Sequence, residues 1–190
     1  DTVIYAGTAH RLGKLEIEGV SAEKLKLFAD IAYPPVSSLT LGFDRSQIKH
    51  PLDGFGVLVP EVEKRQILGA LFISTLFPER APEGKASLTV FIGGTRQPEN
   101  AVLPQTELIH LVMNDLRPIL GISGDPDYVF HRYWEKAIPQ YEPGYAKVRK
   151  RIQELETENP GLIFCGNYIS GISVADTLLH ACRTAEGLLS

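Results

Sequence analysis

The sequence predicts a mixed α/β fold, and three observations lead there. Short alternating or apolar runs bounded by Gly and Pro crowd the stretch from Ala32 to Gly93, which reads as an antiparallel-rich sheet. Apolar residues at helical spacing follow between Pro104 and Leu120 and return between Ser173 and Leu189. Two apolar runs near the ends, Thr2 to Ala6 and Leu162 to Cys165, read as strands and are expected to lie in one sheet.

Taken in order, Thr2 to Ala6 is continuously apolar and ends at Gly7, the pattern of a strand covered on both faces. Ser21 to Ala29 reads as a short helix. From Ala32 to Phe43 polar and apolar positions alternate, with Leu39, Leu41 and Phe43 on one face, while Pro34 and Pro35 set the start at an edge or entry. Val57 to Val59, Ile67 to Ser74 and Ser87 to Gly93 are further strands, and their short connections predict a mostly antiparallel meander. Pro104 opens a helix whose apolar face carries Leu108, Leu111, Val112, Leu116, Ile119 and Leu120, and Gly121 ends it. Tyr128 to Tyr133 is a strand leading into Trp134. Tyr145 to Thr157 has the charges of a solvent-facing helix, stopped by Pro160 and Gly161. After Leu162 to Cys165 comes a glycine-flanked loop, Gly166 to Gly171. A helix from Ser173 to Leu189 follows, with Val174, Leu178, Ala181, Cys182, Ala185 and Leu189 at helical spacing.

At 190 residues the chain makes one ordinary domain or two small ones and can bury roughly 70% of its unfolded surface. Hydrophobic residues at 44%, charged residues at 22% and a near-zero mean hydropathy exclude disordered, collagen-like and coiled-coil classes. Lys and Arg number 19 against 23 Asp and Glu, a net charge of −4, and no basic stripe is interleaved with aromatics. Nucleic acid is therefore not an expected partner. No apolar run approaches membrane-spanning length. Cys165 and Cys182, the only cysteines, form neither a disulfide framework nor a Cys-x-x-Cys pair, which points to a reducing, cytoplasmic compartment. The chain opens at Asp1 and runs at once into an apolar strand, so the expectation is a piece of a longer polypeptide.

The closing strand, glycine loop and helix are the most informative local arrangement. Unpaired amides at a helix N-terminus offer partial positive charge to an electron-rich ligand. Ser173 with Asp176 resembles a capping box in which Asp replaces Glu or Gln. A crossover that simply needs glycines to turn explains the same pattern, and on the residues alone both readings stand. Gly166 and Gly171 have phosphate-loop spacing, but Ile172 stands where Lys is required. Gly171, Ser173 and Ala175 imitate a nucleophile elbow. However, Asp176, His180 and Glu186 share the helix of Ser173, whereas an elbow takes its base from a separate loop. His10, His50, His110, His131 and His180 are scattered without ligand spacing, so no metal site is expected. Aromatics concentrate at Phe130, Tyr133, Trp134 and Tyr141, which suits a plain aromatic core and a planar-ligand pocket equally.

Longer words then stand out: Gly54-Phe55-Gly56-Val57-Leu58-Val59-Pro60, Leu76-Phe77-Pro78-Glu79-Arg80-Ala81-Pro82 and Phe91-Ile92-Gly93-Gly94. To these are added Tyr133-Trp134-Glu135-Lys136-Ala137-Ile138-Pro139-Gln140-Tyr141 and Gly166-Asn167-Tyr168-Ile169-Ser170-Gly171-Ile172-Ser173-Val174. In that order and spacing the chain resembles, over essentially its whole length, the C-terminal part of the oxygen-dependent protoporphyrinogen oxidases. These are flavoproteins of the FAD-containing amine oxidase superfamily.

The resemblance implies a six-electron oxidation of protoporphyrinogen IX to protoporphyrin IX in haem or chlorophyll synthesis. FAD accepts hydride equivalents, and dioxygen reoxidises it to give hydrogen peroxide. It implies an antiparallel-rich substrate-domain sheet with helices, residues 25–159, flanked by residues 1–24 and 160–190 as two segments of an incomplete FAD-binding, Rossmann-like domain. Ile172, Ser173 and Val174 match the family's FAD-contacting turn, where amides and helix dipole would stabilise charge on reduced flavin. Trp134 matches an aromatic placed against the flavin. Leu58, Leu71 and Phe91 match apolar positions lining the tetrapyrrole cavity, although pattern alone would make them sheet core. No residue is marked as a catalytic acid or base, because oxidation by a bound flavin demands mainly orientation. Glu135, Lys136 and Arg96 lie within matching words but read equally as solvated charges.

The chain departs from the family in having no Gly-x-Gly-x-x-Gly, since Gly54 and Gly56 run on into Val57 and Leu58. The family's membrane-binding segment and its basic residue for the substrate propionates also have no counterpart here. FAD binding by this chain alone is therefore expected to be weak or absent, without turnover, and membrane contact peripheral and made through the missing part. Open strand edges are expected to drive self-association. Two other functions stay open. One is a different oxidase or desaturase of the superfamily; the other is a non-enzymatic tetrapyrrole-binding protein that lacks the flavin half.

Overall fold

Backbone pairing and helix caps divide the chain much as its pattern of apolar residues predicts. A computed structural model describes residues 1–189. In order they form β1 (Val3–Tyr5), α1 (Ala9–Leu12), α2 (Ala22–Ala29), β2 (Val36–Asp44), β3 (Gly56–Leu58), β4 (Ile67–Phe72), α3 (Ile73–Leu76) and β5 (Lys85–Gly93). Then come α4 (Gln105–Leu120), β6 (Tyr128–Trp134), α5 (Ala146–Glu158), β7 (Leu162–Phe164) and α6 (Val174–Leu189). The short helices α1 and α3 are additions to the elements read from sequence. Two compact units result, one spanning Pro34–Ala137 and the other joining Asp1–Tyr33 to the chain from Ile138 onward. The boundaries expected from sequence fall instead after residues 24 and 159. The difference lies in α2 and α5, whose apolar faces share a core with β7.

In Pro34–Ala137 the strands lie in the order β3-β4-β5-β2-β6, with every neighbouring pair antiparallel. Only β3, β4 and β5 form the expected meander. β2 sits between β5 and β6, because the chain leaves β5 through α4 and returns as β6 on the far edge of β2. Alternation sends Leu39, Leu41 and Phe43 of β2 and Ala86, Leu88, Val90 and Ile92 of β5 into one core, with Leu108, Val112, Leu116 and Leu120 of α4. Leu111 and Ile119 pack at its margin. Gly121, at φ 62, ends α4 in the left-handed conformation, and a Cβ there would stand 2.9 Å from that of Lys49.

One polar member of this core had no signature in the apolar pattern. The Asp115 carboxylate is buried and accepts the Gln66 and Ile67 amides at 2.6 and 3.1 Å, with the Arg65 guanidinium at 3.5 Å. It therefore satisfies the backbone donors where β4 begins, beside a register shift between Ile67 and Gly69.

In the other unit β1 and β7 lie in one sheet, as expected, and pair in parallel, Val3 opposite Leu162 and Tyr5 opposite Phe164. Leu12, Leu25, Phe28, Val148, Ile152, Leu155, Phe164 and Tyr168 form its core. The helix expected to face solvent, α5, thus buries one stripe. The reading of β1 as covered on both faces is corrected: Val3 is 63% and Ile4 47% exposed, because β1 pairs only with β7 among the described residues. α6 likewise buries none of its side chains, and Leu178 and Leu189 of its apolar stripe are exposed.

Tyrosines gather in this unit. Phe28 stacks on Phe164 and meets Tyr168 edge-on, and the Tyr33 hydroxyl accepts the Ala9 amide at 3.3 Å. Burial pushes the Tyr33 phenol up from 10.0 to about 12, against the smaller opposing effect of the Ala9 amide. It raises Tyr145 and Tyr168 as well.

A phenol with a raised folded value holds its proton longer in the folded chain. Its stabilisation is complete below about pH 10 and is lost as pH rises through about 12. Circular dichroism and the part of the tyrosinate absorbance that Tyr33→Phe removes should therefore change together across that interval; Tyr33 ionising well below it in an intact fold would contradict this. Replacing Asp115 by Ala strands two amides and should cost about 2 kcal/mol or more, read as a lowered urea midpoint from the fluorescence of Trp134, the one tryptophan. An unmoved midpoint would remove Asp115 from the account.

Candidate functional site

The alternation that fills the core of Pro34–Ala137 also determines what its sheet presents on the opposite face. One row across the strands reads Leu58, Gly69, Phe91, Ser38 and Arg132, and the next reads Gly56, Leu71, Thr89, Thr40 and Phe130. Leu58 and Phe91, two strands apart, flank a glycine, so a trough about 10 Å wide runs between them. No larger residue fits at Gly69, where a Cβ would lie 2.5 Å from the Val57 carbonyl oxygen. Trp134, at the end of β6, lies on the same face, its indole N–H directed at Ser38 Oγ 3.4 Å away and its ring 4.9 Å below the Arg132 guanidinium. Leu58 is 86% exposed, Trp134 47%, and Leu71 and Phe91 are half-buried. The structure thus brings Leu58, Leu71, Phe91 and Trp134 onto one face, outside the core to which pattern alone assigned the first three.

Towards the other end of this face, where Gly42 pairs with Tyr128, a cavity of about 780 Å³ opens. Thr40, Ser87 and Thr89 line it from the sheet, and Ile73, Phe77, Arg80 and Pro82 line it from the segment after β4. Its volume falls within the roughly 300–1,000 Å³ usual for small-molecule sites. Two cations line it and differ in kind. Lys85 is neutralised by Asp127 at 2.5 Å and Asp44 at 2.9 Å, and those hydrogen bonds, Asp127 first, raise its pKa. The Arg80 guanidinium has no hydrogen-bond or ion-pair partner among the described residues, which leaves it available to an anion.

Sequence reasoning had not singled out Arg80, Phe77 or Tyr128. For Tyr128 the signal existed: Tyr128, Phe130, Arg132 and Trp134 alternate along β6 and so share a face. Arg96, read as a solvated charge, instead donates to the Val59 and Ile67 carbonyls at 3.0 and 3.4 Å and ties together the ends of β3 and β4.

Ile172, Ser173 and Val174 belong to the other unit, at the start of α6. Ser173 Oγ accepts the Asp176 amide at 3.0 Å and donates to Asp176 Oδ2 at 2.6 Å. The expected capping box is therefore present with one arm changed: the carboxylate takes the Ser173 hydroxyl proton rather than its amide. Gly171, at φ 150, precedes the cap, and a Cβ there would lie 2.5 Å from Asp176 Oδ2. Ile172 and Val174 are 50% and 78% exposed on either side of Ser173. Amides of the first helical turn lie beyond reach of any intrahelical carbonyl. A helix end of backbone N–H donors results, offset in charge by the Asp176 carboxylate in its first turn and rimmed by two apolar side chains, and its donors suit the acceptor edge of a planar group. A serine nucleophile is excluded, because the Ser173 proton is held by Asp176 while the His180 ring lies 3.4 Å from Cys165 Sγ.

Comparison with known proteins adds to this geometry. The model of the flavin containing amine oxidoreductase family matches residues 1–189. The chain is 41% identical over 169 residues to the mitochondrial protoporphyrinogen oxidase of Nicotiana tabacum, covering 87% of this chain and 34% of that protein. It is 36% identical over 194 residues to protoporphyrinogen oxidase 2, chloroplastic/mitochondrial, of Arabidopsis thaliana, covering 100% of this chain and 38% of that one. It thus spans little more than a third of the length of these curated relatives. Among solved structures, cyclohexylamine oxidase from Brevibacterium oxydans IH-35A superposes with a TM-score of 0.64 at 17% identity, over 100% of this chain and 43% of that one. A protein from Exiguobacterium sp. 255-15 reaches 0.79 at 21% identity, over 99% and 41%. Both likenesses are of fold. No helix among the described residues is long and apolar enough to cross a membrane.

Proposed function

The chain belongs to the flavin containing amine oxidoreductase family, and from that premise we propose that it is the C-terminal, substrate-holding part of an oxidase that converts protoporphyrinogen IX to protoporphyrin IX with dioxygen, releasing hydrogen peroxide. The observation that carries this reading is a convergence. Leu58, Leu71, Phe91 and Trp134, matched to family positions far apart in sequence, come to lie on one sheet face, towards the other end of which opens a cavity lined by other residues.

Each group then has a task. Leu58, Leu71 and Phe91 bury the flat face of the macrocycle, and the glycine trough between them accepts it without a clash. Arg80 offers its guanidinium to a propionate of the substrate, the charge-assisted partner that Lys85, already paired, cannot be. Trp134 packs against the flavin, and the Ile172–Val174 turn meets its electron-rich edge with amides and dipole. When bound, the flavin supplies a two-electron acceptor that dioxygen regenerates. The unit holding Ile172–Val174 serves the flavin, and Pro34–Ala137, apart from Trp134, serves the substrate. A glycine fingerprint for the pyrophosphate is not in this chain, so its own affinity for FAD is weak and it has no turnover alone. Membrane contact is peripheral and made by other parts of the protein; the plant relatives are named for mitochondria and chloroplasts, not the cytoplasm.

In the full-length protein, Phe91→Ala and Leu71→Ala should each lower kcat/KM for protoporphyrinogen about tenfold or more, with FAD still stoichiometric. Arg80→Gln should act mainly on KM. Porphyrin kinetics unchanged in all three would sink the site. Flavin without conversion would point to another oxidase of the family, and porphyrin binding without flavin to a binding protein. The isolated chain should self-associate through the exposed β1 edge and the apolar stripe of α6, seen as a light-scattering mass that rises with concentration. A monomer at every concentration would contradict this.

A further inference from the structure

We propose that Tyr141 is the positioning residue of the Ile172–Val174 turn, its single hydroxyl closing the loop of residues 166–171 and fixing where the first turn of α6 points. The proposal rests on the reading of that turn as a flavin contact. Ile172 and Val174 are exposed and α6 buries nothing, so packing does not hold the turn in place. Hydrogen bonds at its two sides do. On the helical side stands the Ser173–Asp176 cap. On the loop side Tyr141 Oη donates to the Asn167 carbonyl at 2.6 Å and accepts the Gly171 amide at 3.1 Å, so one phenol joins both ends of the loop and ends one residue before Ile172.

The phenol is itself anchored. The Tyr141 ring stacks on Tyr145, with centroids 4.3 Å apart, and the Arg149 guanidinium lies 5.7 Å from the Tyr141 centroid. Tyr145 Oη donates to the Tyr168 carbonyl at 2.7 Å, a second tie on the same loop, and its ring packs against the core that holds Tyr168 and α5. A continuous path therefore runs from buried core through Tyr145 and Tyr141 to Gly171. Because Gly171 allows no side chain against Asp176, a shift of its amide is carried directly into the cap. Desolvation raises both phenols above their ordinary value, which keeps them protonated donors near neutral pH.

The test is Tyr141→Phe, which keeps the stacked ring and removes both hydrogen bonds. In the full-length protein it should raise the dissociation constant for FAD about tenfold and alter the flavin absorption spectrum, while Phe91→Ala changes neither. In the 190-residue chain the Gly171 amide should exchange with solvent about tenfold faster, with little change in melting temperature. FAD affinity within twofold of wild type with an unaltered spectrum would overturn the proposal. A wild-type protein that takes up no flavin would overturn the flavin reading and this role with it; the Gly171 exchange rate would then report separately on whether the clamp exists in the fold.

Discussion

Hydrogen bonding of β2 along both of its edges is the constraint on which the five-stranded sheet depends. It pairs antiparallel with β5 over nine positions and with β6 over seven, so its side chains alternate under control from two directions. A slip of one residue would expose Leu39, Leu41 and Phe43 and drive Ser38, Thr40 and Gly42 against α4. At about 1.5–3 kcal/mol for each large apolar side chain buried, such a slip would cost a large part of the stability of a domain. The core therefore holds the register, and the register fixes the other face. Leu58, Phe91 and Trp134 are aligned there because Leu88, Val90 and Ile92 must be buried on the opposite side.

The same economy governs the charges. Lys85 and Arg80 both line the cavity, but among the described residues only Lys85 of the two has ion-pair partners, Asp44 and Asp127. Asp115 shows the reverse case, a carboxylate drawn into the core because two amides at the start of β4 need an acceptor. In each case the neighbours, not the residue type, decide whether a charge maintains the fold or remains available to a ligand. The Ser173 hydroxyl follows the same logic. Once it is committed to Asp176, what the helix end can offer is backbone amide and dipole rather than a nucleophile.

Exposure of Val3, Ile4, Leu178 and Leu189 belongs to the same picture. Their spacing is that of buried elements, and in the described residues β1 has one strand partner and α6 none of its side chains covered. Apolar pattern reports that a surface is built to be covered; it does not say by what.

The sequence by itself determined the elements and the local chemistry of the turn. Strand periods, the Pro104 and Gly121 limits of α4 and the Ser173 cap are short-range matters, settled by neighbours a few residues away. Leu58, Leu71, Phe91, Trp134 and Ile172–Val174 were named through the resemblance to a family, whereas Phe77, Arg80 and Tyr128 were not. Only the tertiary structure decided that β2 enters between β5 and β6, that Leu58 and Phe91 flank a glycine trough, that Arg80 has no counterion among the described residues where Lys85 has two, and that Tyr141 closes a loop 26 residues further on. These depend on pairings between residues distant in sequence, whose geometry follows from which surfaces find room to pack. No local pattern encodes that choice, so a residue such as Tyr141 shows its role only when the fold places Gly171 beside its hydroxyl.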